Sequence, residues 1–324
     1  MTATRTWLRG ATTARSFRAM ASPVTFTVVE PNGGAPTALD RAEAAVREIE
    51  RTCSRFDPTS ALTWANAAPH LWHDVPASLA LAVREAAEAH LVTAGRFDPR
   101  VLGVLLGWGY DRSLPFAEGV ERDAGPRAAA PVTLGSWCPE VVERNGRWRL
   151  RLGAHPIDLG GIGKGLAVRA AAAELAGSGA GWMVDLGGDG AVAGVGPDGG
   201  GWRIGVEDPT GGELPLLVLE ATDTGYATSS TRLRSWRASG QRVHHLVDPR
   251  TGEPGGDGLR AVTVVSPDPA WSEVWTKELF LAGPAAVART AVDLQLAATW
   301  VEPDGAVRLS PRLEPLVLWS RSHG

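Results

Sequence analysis

The stretch Ile157-Asp158-Leu159-Gly160-Gly161-Ile162-Gly163-Lys164-Gly165-Leu166-Ala167-Val168 constrains this chain more than any other. A β-like run enters a glycine-rich turn, with an acid before it and a lysine inside it, and a helical pattern follows. Glycine permits sharp bends and lets a ligand approach bare N–H groups. A helix N-terminus adds unpaired donors and the positive end of its dipole, and Lys164 adds a mobile cation. The combination predicts a site for a phosphorylated ligand. It is not a P-loop, which requires glycine where Asp158 stands and Ser or Thr where Gly165 stands. A second turn, Gly188-Asp189-Gly190, follows a strand pattern, but glycines from Gly194 to Gly201 occupy the place of the helix that a dinucleotide fingerprint needs.

At 324 residues the chain suffices for one large or two ordinary domains. A net charge of −4 argues against nucleic acid or an anionic membrane as partner. The two cysteines, Cys53 and Cys138, are far apart and form no CxxC, which predicts reduced thiols rather than a disulfide framework or zinc site. Residues 1–18 carry Arg5, Arg9, Arg15 and Arg18 with no acid, and read as a disordered basic tail before one domain over 19–320. Without an apolar signal region, twin arginine or lipidation cysteine, the expected compartment is the cytoplasm.

Val24–Val29 alternates as a strand. Thr37 and Asp40 suggest a capping box opening a helix with Leu39, Ala42, Val46, Ile49 and Cys53 on one face. A second helix is expected over Leu79–Thr93, and Pro115–Pro131 reads as a loop. The helix behind the glycine turn should stop at Gly177. Strand patterns follow at Trp182–Leu186, Trp202–Val206, Leu214–Ala221, Ala261–Val265 and Ala297–Val301. Asp268-Pro269 reads as the cap and first residue of a helix ending at Gly283. The expected fold class is α+β, with mixed sheets and flanking helices.

Several ordered segments resemble the FAD:protein FMN transferase (ApbE) family. They are Met20-Ala21-Ser22-Pro23, Cys53-Ser54-Arg55-Phe56-Asp57-Pro58, Gly95-Arg96-Phe97-Asp98-Pro99, Gly107-Trp108-Gly109, the glycine turn, Asp185-Leu186-Gly187-Gly188-Asp189, Ala227-Thr228-Ser229, and His245-Leu246-Val247-Asp248-Pro249-Arg250-Thr251-Gly252. The resemblance implies binding of FAD, usually with Mg²⁺. It further implies transfer of the FMN half to a Thr or Ser hydroxyl of an acceptor protein carrying an FMN-binding domain, with release of AMP. Carried over by position, the flavin-contacting residues are Met20, Phe56, Arg96, Phe97, Asp98, Asp158, Lys164 and Leu246. Gly161, through its carbonyl, Glu273 and Thr276 are the candidate metal ligands.

Phe56 or Phe97 offers a ring for stacking, and Met20 adaptable apolar contact. His245 serves either as base toward the acceptor hydroxyl or as an orienting group. Asp98 beside Pro99 also reads as a plain turn initiator. The family pattern expects Asp and Thr four residues apart where this chain has Glu273 and Lys277. A protonated lysine cannot ligate metal. Lys277, with Lys164 and His245, is therefore a catalytic candidate whose ammonium replaces part of the metal's charge; the bland reading is a helical Glu–Lys pair worth about 0.3 kcal/mol. Arg232 and Arg234 stand where the pattern usually has an aromatic. Two other activities fit the same residues: binding FAD without transfer, and hydrolysing FAD to FMN and AMP.

Overall fold

Eight strands build the central sheet: β1 (Thr12–Ala19), β2 (Ser22–Val29), β3 (Gly181–Leu186), β4 (Asp189–Gly194), β5 (Thr224–Ser230), β6 (Ala261–Ser266), β7 (Ala297–Val301) and β8 (Val307–Leu309). Their order in the sheet is their order in the chain, and each neighbouring pair is antiparallel. The computed structural model describes residues 10–112, 135–212 and 214–321, with the backbone of 121–122. The class is α+β, as the sequence predicts. Parallel pairing among the described residues is confined to Arg237 and Ala238 against Glu121 and Arg122. Apart from 121–122, the expected loop over Pro115–Pro131 lies outside the described residues.

Four helices position the site: α1 (Ala35–Cys53), α2 (Ala77–Val92), α3 (Gly163–Leu175) and α4 (Pro269–Ala282). Val24, Phe26 and Val28 of β2, with Val184 and Leu186 of β3, pack on Leu39, Ala42 and Val46 of α1 and on Val168, Ala171 and Leu175 of α3. Leu279 and Phe280 of α4 pack on Val262 and Val264 of β6. The other sheet face, including Val192, Tyr226 and Val265, meets Trp202, Ile204 and Leu219 of a three-stranded sheet (Trp202–Val206, Leu217–Ala221, Val317–Ser320). Burial on both faces explains why Ala261–Val265 reads as a nearly continuous apolar run. Each fully buried aliphatic side chain contributes roughly 1.5–3 kcal/mol, so this layer is a firm mount for α3 and α4. Among the described residues, no helix is long and apolar enough to cross a membrane.

Two local expectations are corrected. The tail predicted through residue 18 is contradicted from Thr12 onward, because Thr12–Ala19 is a full edge strand paired with β2. Its inward side carries Phe17, packed edge-on against Phe26, and Arg15, whose guanidinium pairs with Asp40 and Glu43 of α1. Asp40 therefore serves Arg15 rather than a capping box. Helix α1 starts earlier, at Ala35, with Pro36 in its first turn and no side-chain cap. The other boundaries follow the sequence closely. Asp268 caps α4 by accepting from the amides of Ala270 (2.8 Å) and Trp271 (3.3 Å), and Gly283 ends it.

The glycines of the α3 turn serve close approach. Gly160, Gly161, Gly163 and Gly165 are absent from the positive-φ residues. A Cβ on Gly165 would lie 2.5 Å from both the Cα of Ala270 and the carbonyl oxygen of Pro269. A Cβ on Gly225 of β5 would lie 2.5 Å from the Pro269 nitrogen. These two bare positions let the start of α4 press onto α3 and β5, which brings Glu273 over the turn. Gly165→Ala is expected to destabilise the protein by about 1–3 kcal/mol through overpacking, measured by denaturant unfolding, because backbone rather than a flexible side chain must yield.

Candidate functional site

A cavity of about 380 Å³ opens where the glycine turn, α4 and the segment around His245 converge. Met20, Phe56, Arg96, Phe97, Asp98, Asp158, Gly161, Lys164, His245, Leu246 and Lys277 all line it. Residues far apart in sequence are thus gathered at one wall. Glu273 and Thr276 sit behind Lys164 and Lys277, at 1% and 0% exposure.

The floor is a network of buried charges. Lys164 Nζ donates to Asp189 Oδ2 and to Glu273 Oε1, the latter at 3.0 Å. Lys277 Nζ donates to the same Glu273 oxygen at 3.1 Å, one helical turn away. The Gly165 amide donates to Glu273 Oε2 (2.8 Å), and the Thr228 amide to Asp189 Oδ1 (3.0 Å). Two carboxylates and two ammoniums thus cancel in formal charge. Desolvation lowers the Lys164 pKa to about 8, despite the opposing attraction of Glu273. Burial pushes Glu273 upward, but Lys164, Lys277 and the Gly165 amide outweigh it and hold it well below the usual carboxylate range.

The expectation of bare amides over residues 160–165 is corrected for four of the six; the amides of Gly161 and Lys164 have no acceptor among the described residues. The Gly160 amide donates to Asp158 Oδ1, Ile162 and Gly163 both donate to the Leu159 carbonyl, and Gly165 donates to Glu273. The turn organises its own side chains more than it presents free donors. Asn66 braces its approach, since its side chain exchanges two hydrogen bonds with the Ile157 backbone (2.8 and 2.9 Å).

The other predicted residues divide by what already holds them. Asp98 caps a short 3₁₀ turn and binds Arg100 with both oxygens, so turn chemistry accounts for its carboxylate. Arg96 pairs with Glu278. Asp158 receives Arg55 Nε at 3.1 Å. Phe97 is 4% exposed and belongs to the core under α2, whereas Phe56 is 39% exposed. Of the two rings, Phe56 is the one able to meet a ligand face. Its other neighbours are the Arg55 guanidinium, 4.0 Å from the ring centroid, and the Tyr110 ring at 5.4 Å. Met20 and Ala21 form the β1–β2 turn, both left-handed, at φ 52° and 58°.

The half-buried His245 places Nδ1 3.4 Å from the Arg234 carbonyl, which also accepts the His245 amide at 3.2 Å. A carbonyl only accepts, so Nδ1 carries the proton and Nε2 keeps its lone pair. Burial, then the charges of Arg234, His244 and Lys277, push its pKa well below the ordinary histidine value. His245 is therefore neutral at pH 7. Its neighbour His244 packs edge-on to Phe280 at 5.9 Å.

Two of the three predicted metal ligands, Glu273 and Thr276, do not suit a hard dication. Both oxygens of Glu273 already accept from ammonium or amide groups. The Thr276 hydroxyl donates to the Glu273 carbonyl (2.7 Å) and pairs with the Ser229 hydroxyl (2.7 Å). Among the described residues, no group of three or more His, Cys, Asp or Glu converges as a metal site. A divalent cation prefers a surplus of anionic oxygens, and here lysines occupy them.

Sequence reasoning did not single out Arg55, Tyr110 or Glu50, which also line the cavity. Arg55 stands inside the Cys53–Pro58 segment, next to Phe56. Tyr110 was detectable only as one of two tyrosines in the chain, three residues after Gly107. Asp189, in the second glycine turn, belongs to the charge network.

Scaffold and cleft together define an α+β protein with a cationic ligand cavity rimmed by aromatic rings. The ApbE family model matches residues 20–300, and the chain belongs to the ApbE family. It is 27% identical over 187 residues to an FAD:protein FMN transferase of Klebsiella pneumoniae, covering 56% of this chain and 53% of that protein. The chain spans about half the length of the first curated relatives it matches. The crystal structure of the ApbE protein from Thermotoga maritima superimposes with a TM-score of 0.80 at 24% identity, over 96% of this chain and all of the other. The apo flavinyl transferase ApbE of Pseudomonas stutzeri gives 0.76 at 22% identity, over 96% and 99% of the two chains.

Proposed function

We propose that this chain is an FAD:protein FMN transferase. The observation that carries the reading is the gathering, around one cavity, of the residues that the family resemblance selected from separate parts of the chain. Phe56 meets the flavin ring, with Met20 and Leu246 adding apolar contact. An acceptor Thr or Ser hydroxyl oxygen bonds to the flavin-side phosphorus. The P–O bond to the adenylate phosphate breaks, and AMP leaves with that electron pair. The hydroxyl proton passes to Nε2 of His245, which its Nδ1 contact keeps available. Phosphoryl transfer asks a protein mainly to position groups and to balance spread negative charge. Lys164 and Lys277 line the cavity floor and contribute there as local N–H donors whose charge Asp189 and Glu273 balance.

Because lysines fill the oxygens a cation would use, the reaction runs without Mg²⁺. The acceptor is a protein with an FMN-binding domain presenting the hydroxyl, modified in the cytoplasm. The test is intact-mass measurement of such an acceptor after incubation with FAD, with EDTA or with Mg²⁺. An FMN-sized adduct of equal yield in both arms is expected. No adduct on an acceptor flavinylated by another family member counts against transfer; free FMN without adduct indicates hydrolysis instead. An adduct only with Mg²⁺ overturns the lysine-for-metal reading alone.

A further inference from the structure

We propose that Arg234 binds the diphosphate of the ligand and so selects FAD over uncharged flavins. The inference rests on the transferase reading and deepens it. Arg55, Arg96, Lys164 and Lys277 all line the cavity, and each is ion-paired: with Asp158, with Glu278, with Asp189 and Glu273, and with Glu273, respectively. Arg234 also lines it and is partly buried. Among the described residues, no carboxylate lies within ion-pair distance of its guanidinium, and no hydrogen bond engages it. It stands instead among like charges, since its field acts on Lys164, Lys277 and His245.

A partly desolvated cation beside two ammoniums is unfavourable until an anion arrives. The carboxylates of the floor are already matched by lysines, and four of the six turn amides by internal acceptors. The unmatched positive charge of the cavity therefore resides on Arg234. A guanidinium is a planar fork suited to bidentate phosphate binding. The diphosphate is the anionic part of FAD that riboflavin lacks. The backbone carbonyl of the same residue holds His245 by two contacts. Anchoring the diphosphate on Arg234 thus fixes the reacting phosphorus relative to the base through a single residue.

The experiment measures FAD and riboflavin affinity by quenching of flavin fluorescence, for the unmodified protein, Arg234→Gln and Arg234→Lys. Arg234→Gln should weaken FAD binding roughly 10–100-fold, the scale of losing charge-assisted hydrogen bonds, while leaving riboflavin binding unchanged. Arg234→Lys should recover part of the loss. Thermal unfolding of each variant reports folding independently. Equal losses for both flavins, or an undiminished FAD affinity in a folded Arg234→Gln protein, would overturn the proposal while leaving the transferase reading standing. Failure of the unmodified protein to bind FAD would overturn both readings.

Discussion

Lys164→Met is expected to destabilise the protein by about 3–5 kcal/mol, the scale of breaking a buried ion pair from one side, and to abolish flavin transfer. Methionine approximates the length of the lysine stem, so packing changes little and the charge is what disappears. Asp189, at 0% exposure, would retain only the Thr228 amide among its present donors. Glu273 would keep Lys277 and the Gly165 amide. The floor then holds two carboxylates against one ammonium. Calorimetric or denaturant unfolding measures the loss. Adding Asp189→Asn to Lys164→Met should recover at least half of it, because the surplus carboxylate is gone while an acceptor for the Thr228 amide remains. A Lys164→Met protein as stable as the parent would mean that the network carries little folding free energy.

His245→Asn should lower the transfer rate by roughly 10²–10⁴, the usual contribution of a positioned base, while FAD affinity is retained. The pH profile identifies the cause. Burial and neighbouring cations keep His245 neutral well below pH 6.5, so the parent should lose activity only on strong acidification. On the alkaline side, Lys164 releases its proton as pH rises through about 8, and the field over the phosphates weakens. Activity should therefore be level from below pH 6.5 to about 8 and decline above it. The residual activity of His245→Asn should lose the acid limb and keep the alkaline one. An unchanged rate in that variant would reduce His245 to an orienting role.

What the sequence disclosed followed the range of the interactions concerned. The cap and start of α4 were readable because Asp268 bonds amides two and three residues ahead. The Glu273–Lys277 pair was readable from helical spacing. The edge strand β1 was not, because its inward face depends on Arg15 meeting α1 and on Phe17 meeting Phe26. A basic, weakly apolar stretch resembles a tail until those partners are known. The turn at Gly160–Gly165 announced a ligand site, yet the occupation of its amides was hidden, since the Gly165 partner lies on another helix. Asp98 differs: its partner Arg100 lies only two residues ahead, inside the turn that Asp98-Pro99 announces, so its engagement is local turn chemistry.

The sheet is a meander in chain order, interrupted by one long excursion from residue 30 to residue 180, between β2 and β3. That excursion supplies Phe56, Arg96, Phe97, Asp98, Asp158 and Lys164, whereas His245, Arg234 and Lys277 come from the later half. The cavity is thus a joint product of both stretches, with Lys164 of the excursion and Lys277 of the later half meeting on Glu273. Loops in the excursion can change length or sequence without shifting strand register, whereas Trp236, packed on Trp108 and Tyr110, ties the downstream segment to the excursion's side of the cavity.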